Sequence, residues 1–203
     1  MGWWDDQVVA RVAARLLGSR TVSSYRERVC AGLAGTVLEI GFGTGTNVPW
    51  YPAGVRRVLA VDPSDAAWSR SGTLRAASPV QVLRAGADAQ SIPLDDASVD
   101  FALTTFTLCT VPDPVAALCE VARVLRPGGT LHLLEHGLAG EERVARRQRS
   151  TTRWWPHLAG GCHLDRDVPA MCEEAGLHVV RMATSEPAMP RVFFHLYEGE
   201  VSA

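Results

Sequence analysis

Short apolar runs that alternate with helical patterns constrain the fold of this 203-residue chain more than any other feature. Runs rich in valine and leucine, which look buried on both faces as parallel strands do, cover residues 36–40, 57–62, 80–86, 99–106 and 130–136. Helical spacing lies between them, for instance over 114–125, where the pattern ends at the stop signal Arg-Pro-Gly-Gly. Two weaker runs, 178–184 and 191–199, would complete the sheet. The sequence therefore predicts an α/β fold with a doubly wound, mostly parallel seven-stranded sheet flanked by helices.

The whole chain, residues 1–203, is predicted to form one domain, because 47% hydrophobic and 21% charged residues are ordinary for a globular protein. Residues 1–35 are predicted to form a helical lid, and residues 137–165, after the fifth strand, a cap insertion. Acids and arginines interrupt the apolar pattern of the amino terminus. The sequence therefore predicts neither a signal peptide nor a membrane span, and the expected location is the cytoplasm.

Charge and cysteine usage exclude several classes of function. The 20 basic and 22 acidic side chains leave a net charge of -2 with no basic block, which argues against a nucleic-acid partner. All the basic side chains are arginine, so chemistry that needs a lysine Schiff base is excluded. The five cysteines include no C-x-x-C pair, which argues against both a disulfide framework and a zinc knuckle.

A glycine-rich turn follows the first predicted strand, in the stretch VLEIGFGTGTN at 37–47. Gly41, Gly43 and Gly45 have no side chains, so the backbone can approach a bound nucleotide closely there. The pyrophosphate fingerprint is G-x-G-x-x-G, whereas the third glycine here comes one residue early. The turn therefore indicates a nucleotide-type ligand and disfavours a nicotinamide oxidoreductase.

The spacing G-x-G-x-G, preceded by Glu39, resembles motif I of class I S-adenosylmethionine-dependent methyltransferases. This resemblance implies that the turn holds the ribose and the methionine end of S-adenosylmethionine, with Glu39 near the ammonium group. Asp62 would accept hydrogen bonds from the ribose hydroxyls, and Asp88 would contact the adenine amino group. The resemblance covers about residues 36–136. It implies the following cofactor-binding residues: Glu39, Gly41, Phe42, Gly43, Gly45, Asn47, Asp62, Pro63, Asp88, Ala89, Thr105 and Phe106.

Segments outside these motifs resemble a narrower family. GFGTGTNVPWYPAGVRRVLAVDPS, TLCTVPDP, EVARVLRPGGTLHLLEH and GGCHLDRD are similar, in that order, to the methyltransferase-like seven family, whose members methylate alkyl thiols. The family's usual cysteine in motif I is Phe42 here. The resemblance implies methyl transfer to a small-molecule acceptor, with a thiol favoured. Two alternatives stay open: methylation of oxygen, nitrogen or carbon in an aromatic or natural-product intermediate, and a non-catalytic module that binds an adenosyl ligand.

Methyl transfer from a sulfonium is an in-line displacement, so the alignment of the reactants matters more than acid or base catalysis. A thiol supplies some thiolate unaided, whereas an alcohol or an amide nitrogen would need a general base. The side chains expected to line the acceptor side follow the fourth and fifth strands; they are Phe106, Thr107, Cys109, Glu135 and His136. His136 is predicted to polarise or deprotonate the acceptor, with a structural bond to a loop carbonyl as an equal alternative.

The segment GGCHLDRD supplies further candidates. His163 and Asp165 could form a second acid/base pair that enters from the cap, although Asp165 is favoured as the N-cap of the helix that follows. Cys162, His163 and Asp165 could also bind a metal, but they lack a fourth ligand nearby, so no metal site is predicted. Cys109 is predicted to be a buried apolar residue and not a nucleophile. The tryptophans of the insertion, Trp154 and Trp155, either rim the active-site mouth or pack the insertion onto the core.

Overall fold

A computed structural model of the protein describes residues 20–187 and 190–203. Most of the predicted amino-terminal lid, residues 1–19, lies outside the described residues. The described elements are α1 (Arg20–Cys30), β1 (Gly35–Ile40), β2 (Val55–Val61), α2 (Asp65–Arg70), α3 (Gly72–Ala77), β3 (Gln81–Gly86), β4 (Val99–Thr105), α4 (Pro114–Val124), β5 (Leu125–His136), α5 (Glu142–Thr151), α6 (Trp155–Leu158), α7 (Val168–Glu174), β6 (His178–Ser185) and β7 (Leu196–Ser202). A short 3-10 turn, Val48–Trp50, follows the glycine-rich segment.

Seven strands form one sheet in the order β3-β2-β1-β4-β5-β7-β6. Strands β1 to β5 pair in parallel, and β7 lies antiparallel between β5 and β6. The strand order changes direction between β1 and β4, and ligands of open α/β sheets bind outside the carboxyl ends of the strands at such a switch point. The predicted fold class, a doubly wound and mostly parallel seven-stranded sheet, is confirmed.

Helices cover both faces of this sheet, which explains why the strand sequences read as nearly continuous apolar runs. On one face, α4 buries Leu118 and Val121 against β4 and β5, and α7 adds Cys172 to the same core. On the other face, α1 buries Val29 and Cys30. Among the helices of residues 20–187 and 190–203, none combines the length and the apolar character that crossing a bilayer requires.

The last strand begins later than the sequence predicts. The sequence predicts it over 191–199, whereas β7 begins at Leu196 and continues to Ser202. Residues 190–194 form turns instead, in which the Phe193 amide donates to the Pro190 carbonyl at 3.0 Å. The Phe193 ring packs against Trp155, with 4.6 Å between ring centroids, so this apolar run covers the cap and not the sheet. Trp155 therefore packs the insertion onto the body, while its neighbour Trp154 is half exposed.

The helix after the cap also begins later than predicted. Asp167, not Asp165, is the N-cap of α7, and its carboxylate accepts a hydrogen bond from the Ala170 amide at 3.2 Å. The intervening Arg166 is tied to the sheet edge, because its carbonyl accepts a hydrogen bond from the Leu138 amide at 2.8 Å. That bond keeps the chain out of the helix at this point, and the preference for Asp165 as a cap is therefore wrong.

An Asp167→Ala variant is expected to lower the free energy of unfolding by about 1 kcal/mol, the usual value of an N-cap side chain. The melting temperature should fall by roughly 2–4 °C for a chain of this length. Thermal unfolding followed by circular dichroism measures the shift, and Asp165→Ala is the matched control. An equal or larger loss in the Asp165→Ala variant would contradict this assignment of the cap.

Candidate active site

The glycine-rich turn lies at the carboxyl end of β1 and adopts backbone angles that disfavour side chains. Gly41, Gly43 and Gly45 have φ values of 71°, 56° and 78°. A Cβ on Gly41 would collide with the side chain of Thr107, so this glycine permits close packing against the loop after β4. A Cβ on Gly43 would meet nothing nearer than the Gly41 carbonyl oxygen at 3.9 Å. The turn is therefore closely packed at Gly41 and leaves space for a ligand at Gly43.

Glu39 lies in β1 beneath this turn and is buried. One carboxylate oxygen accepts a hydrogen bond from the Asn47 amide at 3.0 Å, and the other accepts one from the Tyr51 hydroxyl. Burial raises the pKa of the Glu39 carboxyl to about 7, although the hydrogen bonds from Tyr51 and Asn47 lower it. Glu39 therefore braces the segment after the turn onto the strand.

Arg26, a residue that the sequence did not indicate, joins α1 to the same site. Its guanidinium is buried and donates from Nη1 to the Asn47 side-chain oxygen at 2.6 Å and to the Thr105 hydroxyl at 2.9 Å. Its Nε is also buried and has no hydrogen-bond partner in the part of the chain that the structure describes. Burial lowers the pKa of Arg26, and the nearby Glu39 carboxyl raises it. The network therefore contains one unsatisfied donor.

Asp62 stands at the end of β2, beside the glycine turn. Its two carboxylate oxygens accept hydrogen bonds from the amides of Gly43 at 2.7 Å and Ser64 at 2.8 Å. Each oxygen keeps a further lone pair, since a carboxylate offers about four acceptor sites. Pro63 follows on the surface. Asp62 therefore fixes the shape of the turn and can still accept hydrogen bonds from a ligand.

Asp88 and Ala89 lie in the loop after β3. The Asp88 carboxylate is exposed and accepts hydrogen bonds from the backbone amide and the side chain of Gln90, at 2.9 and 3.0 Å. The Gln90 side chain and amide lower the pKa of Asp88. Ala89 is half-buried and, like the buried Ile92, packs with the main core. The structure therefore provides an acceptor and an apolar wall where the resemblance expects an adenine ring.

Glu135 braces the loop after β4 and does not line the acceptor side as expected. Its buried carboxylate accepts hydrogen bonds from the Thr104 hydroxyl at 2.7 Å and from the amides of Thr107 at 2.9 Å and Leu108 at 3.1 Å. Burial raises its pKa to about 7, against the effect of these donors. The same loop contains Phe106, which has a positive φ of 54° although it is not glycine. Such backbone strain costs of the order of 1–3 kcal/mol and persists where surrounding contacts enforce it.

His136 is the last residue of β5, so it lies at the carboxyl edge as predicted. Its ring lies 5.0 Å from the Phe106 ring, centroid to centroid. Its Nδ1 is buried and forms no hydrogen bond to any described group. The alternative role, a structural bond from His136 to a loop carbonyl, therefore gains no support at this nitrogen.

Two cysteines accompany His136. Cys109 follows β4 and Cys162 lies in the cap, and one ligand atom from each of the three side chains falls within 4.8 Å of the other two. Cys109 is buried, as predicted. The Cys109 thiol and then His136 lower the pKa of Cys162, whereas hydrogen bonding to Cys162 and burial raise that of Cys109.

His163 and Asp165 are not members of this group of three side chains. The His163 amide donates to the Cys109 carbonyl at 2.8 Å, which fastens the cap to the loop after β4. No hydrogen bond joins the two side chains, His163 and Asp165, in the described ranges. Their predicted role as an acid/base pair stays a prediction.

Comparisons with known proteins agree with this architecture. A protein family described as a methyltransferase domain matches residues 38–133. The rat protein named thiol S-methyltransferase TMT1B is 33% identical over 156 residues, which cover 75% of this chain and 64% of that protein. The chain thus spans less than two thirds of that relative's length. A Cereibacter sphaeroides protein named phosphatidylethanolamine N-methyltransferase is 29% identical over 81% of this chain and 82% of its own length.

A solved structure shares the fold. A chain in the complex between the Haloferax volcanii Trm112 methyltransferase activator and a putative methyltransferase superposes with a TM-score of 0.74. The superposition covers 98% of this chain and 96% of the other, at 19% sequence identity.

Proposed function

Since the chain belongs to the class I S-adenosylmethionine-dependent methyltransferases, we propose that its methyl acceptor is a small-molecule thiol. The main observation in support of this proposal is that internal hydrogen bonds already occupy the Glu135 carboxylate, so it is not a free general base. The Glu135 carboxylate is buried and already accepts hydrogen bonds from three donors, the Thr104 hydroxyl of β4 and the Thr107 and Leu108 amides of the loop after β4. An acceptor that needs little base catalysis, as a thiol does, suits a site of this composition.

Three features of the described residues fit S-adenosylmethionine. The space above Gly43 admits a ligand close to the backbone. Asp62 retains acceptor sites for two ribose hydroxyls. The unpartnered Nε of Arg26 is a donor suited to the methionine carboxylate, and its network also holds Asn47 and Thr105. When bound, the cofactor supplies an electrophilic methyl group.

The chain's own residues then have two tasks. The Glu135-braced loop and the buried Cys109 keep water away from the acceptor, which favours a displacement between aligned groups. His136 offers the free Nδ1 as a place for the proton of an incoming thiol. His163, whose backbone amide donates to the Cys109 carbonyl, and Asp165 are the candidates for a second acid/base pair that enters from the cap.

A second candidate is methylation of a primary amine. The bacterial relative named as an N-methyltransferase aligns over 82% of its length, a larger share than the 64% of the thiol S-methyltransferase. The exposed Trp154 and Leu158 of the cap would suit an acceptor with an apolar part. Amine acceptors are protonated at neutral pH, so this reading requires a general base, for which His136 is the candidate.

Incubation of the pure protein with S-adenosylmethionine and matched series of alkyl thiols, phenols and primary amines tests the proposal. We expect S-adenosylhomocysteine, measured by mass spectrometry, to form with thiols at least about tenfold faster than with the corresponding amines, because thiolate is available near neutral pH. His178→Ala is a control that should leave turnover unchanged, because His178 is exposed and lies at the edge of the sheet opposite the carboxyl ends of the parallel strands. Turnover on amines alone would establish the second candidate, and cofactor binding without turnover on any series would contradict both.

A further inference from the structure

We propose that Cys109, His136 and Cys162 bind one Zn²⁺ ion and that its fourth position takes the acceptor thiol as a thiolate. The sequence predicted no metal, because Cys162, His163 and Asp165 lack a fourth ligand. The structure changes the ligand set by bringing Cys109 and His136 to Cys162 from the ends of two neighbouring strands. The second half of this inference rests on the proposed thiol methylation, whereas the first half does not.

The distances suit a tetrahedral site. Zinc binds thiolate sulfur at about 2.3 Å and imidazole nitrogen at about 2.0–2.1 Å, so tetrahedral ligand atoms lie about 3.5–3.8 Å apart. The three ligand atoms here all lie within 4.8 Å of one another. A contraction of about 1 Å or less would therefore complete the coordination. Two cysteines and one histidine leave one position open, which is the arrangement of catalytic and not structural zinc sites.

Both cysteines of the proposed metal site are buried, and His136 is half-buried. Cys109 is 2% and Cys162 is 9% exposed, and the Nδ1 of His136 is buried with no hydrogen-bond partner among the described residues. The bond from the His163 amide to the Cys109 carbonyl holds the two cysteine-bearing loops together. Leu164, Trp155 and Phe193 pack around the sulfurs. A buried imidazole nitrogen without a partner is costly, and a soft divalent ion could bind the histidine and both thiols together.

The surrounding charge is also favourable. The two negative charges of the cysteine thiolates balance the charge of Zn²⁺, since the histidine ligand is neutral. A bound acceptor thiolate would add one further negative charge. The half-buried Arg166 lies close enough to interact with both cysteines, and its guanidinium donates to the Leu108 carbonyl next to Cys109. Its positive charge can compensate for the additional thiolate. Glu135 also faces this region, but its carboxyl is engaged by the loop donors.

Zinc would promote deprotonation of the acceptor thiol, which forms the thiolate nucleophile. On binding, the acceptor thiol releases its proton to solvent, because the metal stabilises the thiolate form. A lone pair of the acceptor sulfur then forms the new bond to the methyl carbon. The old bond from that carbon to the sulfonium sulfur breaks, and its electron pair stays on the sulfur of S-adenosylhomocysteine. The neutral thioether product is a weaker ligand than the thiolate and leaves the metal.

Cobalt binding to the reduced full-length protein tests the metal site without cofactor or acceptor. In buffer with a phosphine reductant, Co²⁺ should bind at one equivalent and give thiolate-to-cobalt charge-transfer bands together with the intense visible bands of a tetrahedral ion. Zn²⁺ should displace it. The Cys109→Ser and Cys162→Ser variants should each weaken binding by at least about tenfold, and His136→Gln should do so if either serine variant fails to fold. Cys119→Ser, at an exposed cysteine, is the matched control.

The outcomes separate this inference from the proposed function. If no tetrahedral cobalt spectrum appears while Cys109 and Cys162 both react as free thiols in denaturant, the metal site is overturned and thiol methylation still stands. If the spectrum appears but thiols are not methylated, the proposed function fails and the metal site stands. An alkyl thiol added to the cobalt-loaded protein should intensify the charge-transfer bands; unchanged bands would overturn the open fourth position.

Discussion

An Asp62→Asn variant is expected to bind S-adenosylhomocysteine at least about 100-fold more weakly than the unchanged protein. An asparagine can keep only one of the two backbone hydrogen bonds, because its amide nitrogen would face the N–H of either Gly43 or Ser64. It also removes acceptor sites for the ribose hydroxyls. Hydrogen bonds to a charged group contribute about 1.5–3 kcal/mol each. The loss of two such bonds, those from the ribose hydroxyls to the Asp62 carboxylate, therefore lowers the affinity by two or more orders of magnitude.

Isothermal titration calorimetry with S-adenosylhomocysteine measures this loss, and Asp65→Asn is the matched control. Asp65 lies three residues further along, is exposed and pairs with Arg84 at 2.5 Å. Its substitution should change the affinity by less than about twofold, since exposed ion pairs contribute little. If Asp62→Asn remains folded and binds the ligand with unchanged affinity, the assignment of this carboxylate to the cofactor is wrong.

The features that the sequence predicted well depend on residues that are close together in the chain. Strand β1 and the glycine turn follow from a buried apolar run and from residues that tolerate positive φ. The strand predicted over 191–199 begins too early for the same reason, since the apolar side chains at its start, which cover the cap, have the composition of a strand. The distinction depended on contact with Trp155, which is distant in sequence.

The features that the sequence missed depend on where the strands end in space. Arg26 reaches Thr105 from α1, and no spacing rule connects these two residues. Cys162 was grouped with His163 and Asp165 because they are neighbours in the chain, but the sheet edge brings it to Cys109 and His136. A signal was present, since both of these residues follow neighbouring parallel strands. The position of the cap segment depends on tertiary contacts that the sequence pattern does not encode.

Glu135 stabilises the loop after β4, and this loop also contains the site residues Phe106 and Cys109. A Glu135→Ala variant is expected to lose about 3–5 kcal/mol of unfolding free energy at pH 6. The substitution leaves the Thr107 and Leu108 amides and the Thr104 hydroxyl without their acceptor, and each buried unsatisfied donor costs about 1–3 kcal/mol. The melting temperature should fall by about 10 °C. Glu174→Ala, at an exposed position, should shift it by no more than a degree or two.

The loss from Glu135→Ala should also depend on pH, with a sign that follows from the raised pKa. The folded pKa of Glu135 is about 7, whereas an unfolded glutamate has a pKa of about 4.3. Between these values the folded state retains a proton that the unfolded state has released, so this group's stabilising contribution is complete at low pH and declines as the pH rises through 7. The gap in melting temperature between the two proteins should therefore narrow from pH 5.5 to pH 8. A gap that widens with rising pH would mean that the loop donors outweigh burial and that Glu135 is held as a carboxylate.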